Sequence, residues 1–325
     1  MINLSTWYKN VTLLFDNSFA LTSSSLTRDA APAPESSPTR YSSSTRYWRP
    51  LPVRLGIPLL SELWLRQSVL TSFALVLLLA MLPALLAMHL DLRTLNGISV
   101  WMKPTKFLFS LAVYYATLAW FFGYLPPQAP RTRAGRFVIW GSIAVGLFEM
   151  LWLIAAAVAG VAAHFNRESL VWIVAYGTAG AGATTLLVAM LIQGRMIARA
   201  TVDGARQAIS PQFRAALVAG VWIAFIGTLV TAFTLSSGTA HWVGGTQSDA
   251  AGLALLGWSR DGGDLRVAHF WALHAHQVLP VMFWLLSEKL QLVRGMLAVR
   301  VLAALYVAFI GFTFVQALTG QPFLG

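Results

Sequence analysis

The segment RVAHFWALHAHQVLPV (Arg266–Val281) sets three imidazoles, His269, His274 and His276, within eight residues of a chain that holds six histidines. Imidazole can ligate a metal or haem, and it exchanges protons near neutral pH. The residues around these three are mostly Phe, Trp, Ala, Leu and Val. On a helix, about 100° per residue puts His269 and His276 ~20° apart and turns His274 ~140° from His269. One helix therefore cannot bring all three to one metal. The ~1.5 Å rise places His269 about 6 Å below the helix start, and His274 and His276 about 14–17 Å deep.

Other polar groups fall at related depths. Glu149, in VGLFEMLWL, sits midway along an apolar run, so it should face the interior and have a partner. His164 and Asn166 follow the same run, and Gln277 lies one turn beyond His274. Lys103 and Lys106 flank Pro104 in WMKPTKF; Arg266 stands in a helix first turn, with Asp264 as its natural N-cap. Cations there oppose the helix dipole, so each calls for an acid (Asp91, Asp261 or Asp264), an anionic headgroup or an anionic substrate. Two layers are expected. The outer one holds His89, His164 and His269 near Asp264; the deeper one pairs Glu149 with His274 or His276.

Three chemistries follow. The first is redox work on a metal ion held by His164, His269 and His274, or on a b-type haem between His269 and His89 or His164. The second is a proton relay through Glu149 and His274, as in a proton-coupled small-solute transporter. The third is a structural or assembly role with no chemistry. The chain has no cysteine, which excludes thiolate catalysis, iron–sulfur clusters and Cys-ligated metals. A retinal protein needs a lysine in its last span, and Leu302–Leu318 has none. HFWALH resembles one box of the membrane di-iron desaturases, which use several such boxes.

The elements that must position these groups are membrane spans. The chain is 57% hydrophobic and 11% charged over 325 residues. SVLTSFALVLLLAMLPALLAMHL (Ser68–Leu90) alone is long enough to cross the ~30 Å hydrocarbon core. The pattern predicts an all-α bundle of seven spans near 69–90, 104–125, 136–163, 169–193, 212–236, 265–287 and 295–318. Residues 1–60 read as a disordered Ser/Thr/Pro/Arg-rich tail or an over-extended start, and 61–325 as the bundle. A Gly-rich external loop over 237–264 is long enough to be a lid. YGTAGAGATT (Tyr176–Thr185) predicts a close helix–helix contact.

Charge gives orientation. One set of alternate loops and flanks holds fourteen cations against three acids, the other six against five. The formal charge of +11 therefore reports topology: N-terminus cytoplasmic, C-terminus external. The partners implied are the lipid bilayer and anionic lipid on the cytoplasmic face, not nucleic acid.

WMKPTKFLFSLAVYYATLAWFF, AAHFNRES and GWSRDGGDLRVAHFWALHAHQVLPV together resemble a family of uncharacterised multi-pass bacterial membrane proteins. The likeness runs over roughly residues 96–280. It covers Lys103, Pro104, Lys106 and Phe107, then His164, Phe165 and Asn166, then Gly263 to His269, His274 and Gln277. His276 stands where an apolar residue is expected and Ala163 where Ser is. The resemblance implies the cell inner membrane and no known activity, and it shifts weight from His276 to His274 and His164.

Overall fold

The computed structural model describes residues 57–164, 169–201, 207–254 and 256–325. The expected tail up to residue 56, and Asn166, lie outside the described residues. The described chain is helical apart from its loops and two short antiparallel strand pairs. Its helices are α1 (Ile57–Arg66), α2 (Ser68–Leu90), α3 (Met102–Phe122), α4 (Arg133–Ala159), α5 (Leu170–Arg199), α6 (Pro211–Ser237), α7 (Leu265–Trp284) and α8 (Gly295–Leu318). The expected boundary at residue 60 thus falls inside α1.

Local chemistry sets the ends. Gln67 separates α1 from α2 and caps α2, its side-chain oxygen accepting from Val69 N. Ser169 and Ser210 cap α5 and α6, and Pro211 takes the first helical position of α6, where no N–H is needed. Asn96 and Gly97, both at positive φ, turn the hairpin β1 (Thr94–Leu95) to β2 (Ile98–Ser99).

Three of the boundaries that differ from expectation have a clear local cause. The second expected span starts at Met102, because Pro104 is tolerated within a first turn. The third ends at Ala159, where Gly160 adopts the left-handed conformation at φ 71°. The fourth runs on to Arg199, because Gln193 does not meet water: it is fully buried and donates to Leu118 O.

Six helices, α2, α3, α4, α5, α6 and α8, are long and apolar enough to cross a membrane. Their outward faces carry large apolar side chains such as Leu79, Leu86, Leu151, Val171, Phe233 and Phe312. In water that surface would be a liability, whereas lipid accepts it. The histidine-bearing helix α7 falls outside the six, since three histidines, Arg266 and Gln277 dilute its apolar content. It packs between α6 and α8, burying Ala268, Ala272, Ala275 and Leu279. A Cβ at Gly220 of α6 would overlap Ala275 O, so glycine is what allows this close approach.

Alternate helix ends gather at two places. At one end Arg66 pairs with Glu62, bonds Trp120 O and Gln207, and lies 3.9 Å over the Trp120 ring. At the other, the hairpin, the residues around His164, the loop from Gly238 to Asp264 and the C-terminus of α8 meet. The loop is anchored by β3 (Trp242–Val243) paired with β4 (Gly263–Asp264), and Gly263 lies against Ala317.

Candidate functional site

Several of the polar groups singled out in the sequence, Arg266, Asp264, Lys103, Lys106 and His164, come together at that second end. Arg266 is the strut. Its guanidinium pairs with Asp264 at 2.6 Å and Asp249 at 2.7 Å, and donates to Gly257 O at 2.7 Å. Asp264 caps α7 as expected, accepting from Arg266 N, and also accepts from Ser259 N. Asp249 is buried, and His241 stands beside it at 3.4 Å. Burial pushes the Asp249 carboxyl up, but the His241 contact and the Arg266 charge outweigh it and hold the group below its usual range. Asp249 N donates to Asn96 O, so the same loop is tied to the hairpin. Asp261 accepts from Thr246 and Ser259, which keeps its carboxyl low as well.

The other acid expected to serve a helix-start cation is engaged elsewhere. Asp91 binds Arg93 at 2.7 Å and accepts from Trp101, contacts that hold it well below the carboxylate range. Arg93 in turn donates to Val158 O, satisfying a carbonyl at the end of α4.

That leaves Lys103 and Lys106. Lys106 Nζ donates to Leu256 O of the loop at 3.0 Å. Lys103 Nζ lies 2.6 Å from His164 Nδ1, and no acid pairs with it among the described residues. An ammonium can only donate, so His164 Nδ1 accepts and the imidazole carries its proton on Nε2. Burial, then the neighbouring charge of Lys103, then His269 hold His164 well below the ordinary histidine range, so it is neutral at pH 7. Phe107 and Tyr176 flank its ring.

The α7 histidines have the opposite tautomer. Thr231 spends its one hydroxyl proton on a backbone carbonyl of α6, so its oxygen accepts from His269 Nδ1 at 3.1 Å. Thr117 likewise donates to Val113 O and accepts from Gln277 Nε2. This fixes the Gln277 amide with Oε1 toward His274 Nδ1, 2.5 Å away, which must donate. His276 Nδ1 donates to Leu273 O at 2.8 Å. Each of the three thus presents an Nε2 lone pair, and that of His276, buried to 1% exposure, has no partner among the described residues. His164 and His269 lie within electrostatic reach of each other, as do His269 and His274.

Several expected groupings are not formed. His89 is exposed at the end of α2. Glu149 does not pair with His274 or His276, which bond to Gln277 and Leu273. It is 4% exposed, its Oε1 has no hydrogen-bond partner among the described residues, and its neighbours include Tyr115 and Gly182. The small-residue stretch of α5 supplies that contact: Gly182 lies against Glu149, while Gly177 and Gly180 face open space. Among the described residues no three His, Asp or Glu side chains are grouped to hold a metal ion, His164, His269 and His274 included. Sequence reasoning overlooked Asp249, Thr231 and Thr117, which have no local signature of their roles.

Comparison with protein-family models, with curated proteins and with solved structures gave no match.

Proposed function

We propose that the protein is a proton-coupled small-solute transporter of the cell inner membrane. It has seven spans, with α7 as the sixth in chain order, an N-terminus in the cytoplasm and the histidine end outside. The arginine-rich end then lies against the anionic cytoplasmic leaflet. This location goes with the resemblance of its motifs to multi-pass bacterial membrane proteins.

The Lys103–His164 contact of 2.6 Å carries the reading. A lysine shares a hydrogen bond with a neutral imidazole whose other nitrogen bears a proton. The His269 imidazole, with an Nε2 lone pair, lies within its electrostatic reach, and His274 is the next titratable group inward. The Nε2 proton of His164 and the Nε2 lone pair of His269 are complementary for a first transfer, and His274 lies within electrostatic reach of His269. Gln277 and Thr117 hold His274 in one tautomer. Glu149 stands outside this path.

A redox centre on His164, His269 and His274 has less support, because Lys103 occupies one nitrogen of His164 and the three rings turn to three different partners. Two measurements on the purified protein separate the readings. Proteoliposomes enclosing a pH-sensitive dye should acidify under an inward proton gradient, and His269→Ala should slow that flux at least tenfold. Equal flux in variant, wild type and empty vesicles would remove the relay. A Soret band or stoichiometric metal would restore the redox reading.

A further inference from the structure

We propose that the outer site binds a small oxyanion, a carboxylate or phosphate group, between Lys103 and Lys106 beneath the loop from Gly238 to Asp264. This rests on the transporter reading above and names the class of its solute.

The argument is one of charge and geometry. Lys103 and Lys106 each lie within electrostatic reach of Arg266 at this end. Two carboxylates accompany them, and both are bonded to the same guanidinium. The planar fork of an arginine takes carboxylates in preference to an ammonium. Among the described residues one positive charge is therefore left over, shared by two lysines whose hydrogen-bond partners there are an imidazole and a backbone carbonyl. Neither partner neutralises a charge. Both lysines also stand in the first turns of α3, where Trp101 offers no side-chain cap and the helix dipole disfavours cations. A single anion would answer the excess charge and the opposed dipole together.

The anionic group could belong to a free solute or to a phospholipid headgroup at the outer surface, so the test has two arms. In the first, full-length protein in a neutral detergent is titrated with inorganic phosphate and with acetate, reading thermal stability and heat of binding. Saturable binding is expected, weakened about tenfold or more in Lys103→Met and retained in Lys103→Arg. Lys106→Gln, whose side chain touches only a carbonyl, should weaken it in the same direction and covers a folding failure of the first variant. In the second arm, protein in phosphatidylcholine nanodiscs is compared with protein in phosphatidylglycerol nanodiscs. Phosphate binding that persists in both assigns a free solute. Phosphate binding lost only with phosphatidylglycerol, through either lysine, assigns a headgroup to the same site. No binding of phosphate, acetate or phosphatidylglycerol by folded wild type, or binding indifferent to both lysines, overturns the proposal. His269→Ala should keep the anion affinity. Lysine-dependent binding without proton flux would therefore defeat the relay alone, and flux without binding the anion site alone.

Discussion

Arg266→Met removes the strut of the outer end and leaves two carboxylates behind. Breaking a buried ion pair by deleting one partner costs about 3–5 kcal/mol, because the remaining charge is stranded. The lower end applies here. Asp264 keeps the amides of Ser259 and residue 266, and Asp249 keeps His241. A loss of about 3 kcal/mol confined to this loop raises its open population roughly a hundredfold. Hydrogen–deuterium exchange reads that population. The amides of Asp249, Leu253, Gly257 and Leu265, which bond to Asn96, Trp258, Leu253 and His241, should exchange about a hundredfold faster. Amides in the middle of α2 and α3 should not change. Adding Asp249→Asn to Arg266→Met removes a stranded charge and should recover part of the loss. If Arg266→Met leaves loop exchange within about threefold of wild type, the guanidinium does not hold this end together and the reasoning fails.

Three further outcomes follow from other contacts. Gly182→Ala sets a methyl against Glu149 Oε1 and should cost about 1–3 kcal/mol of thermal stability in detergent. Glu149→Ala in the same chain should relieve it, and strict additivity would show that the two do not meet. Gln277→Leu strands the Nδ1 proton of His274, a buried donor worth about 1–3 kcal/mol, and an unchanged melting temperature would refute the assigned tautomer. The end of the bundle that holds His164 and Asp249 should loosen in acid in two stages. His164 is depressed, so its contribution is present above the ordinary histidine value of ~6.5 and falls away as pH drops below it. Asp249 is also depressed, so its contribution persists until pH falls below ~3.9. Loop exchange followed from pH 8 downward should show the first stage in wild type and lack it in His164→Gln.

Helices were the legible part of this chain, because a backbone in hydrocarbon must bond to itself and long apolar runs leave it no alternative. The faces of α7 were legible too. The ~140° between His269 and His274 sends one to Thr231 of α6 and the other toward Thr117 of α3 by way of Gln277. Partner choice was not legible. Asp249 lies mid-loop, and only tertiary folding brings it under Arg266; Thr231 and Thr117 look like any helical threonine bonding back to its own turn. The lysines show why such choices escape a local reading. Lys103 and Lys106 call for acids, and acids are available nearby in sequence and space. Arginine outcompetes lysine for a carboxylate, because its fork makes two bonds where an ammonium makes one and it sheds water more readily. Arg93 takes Asp91, and Arg266 takes Asp249 and Asp264. Among the described residues the competition leaves the more strongly hydrated cations, Lys103 and Lys106, without a carboxylate partner beside a neutral histidine, and that leftover charge is the ground on which an anion site is proposed at this end of the bundle.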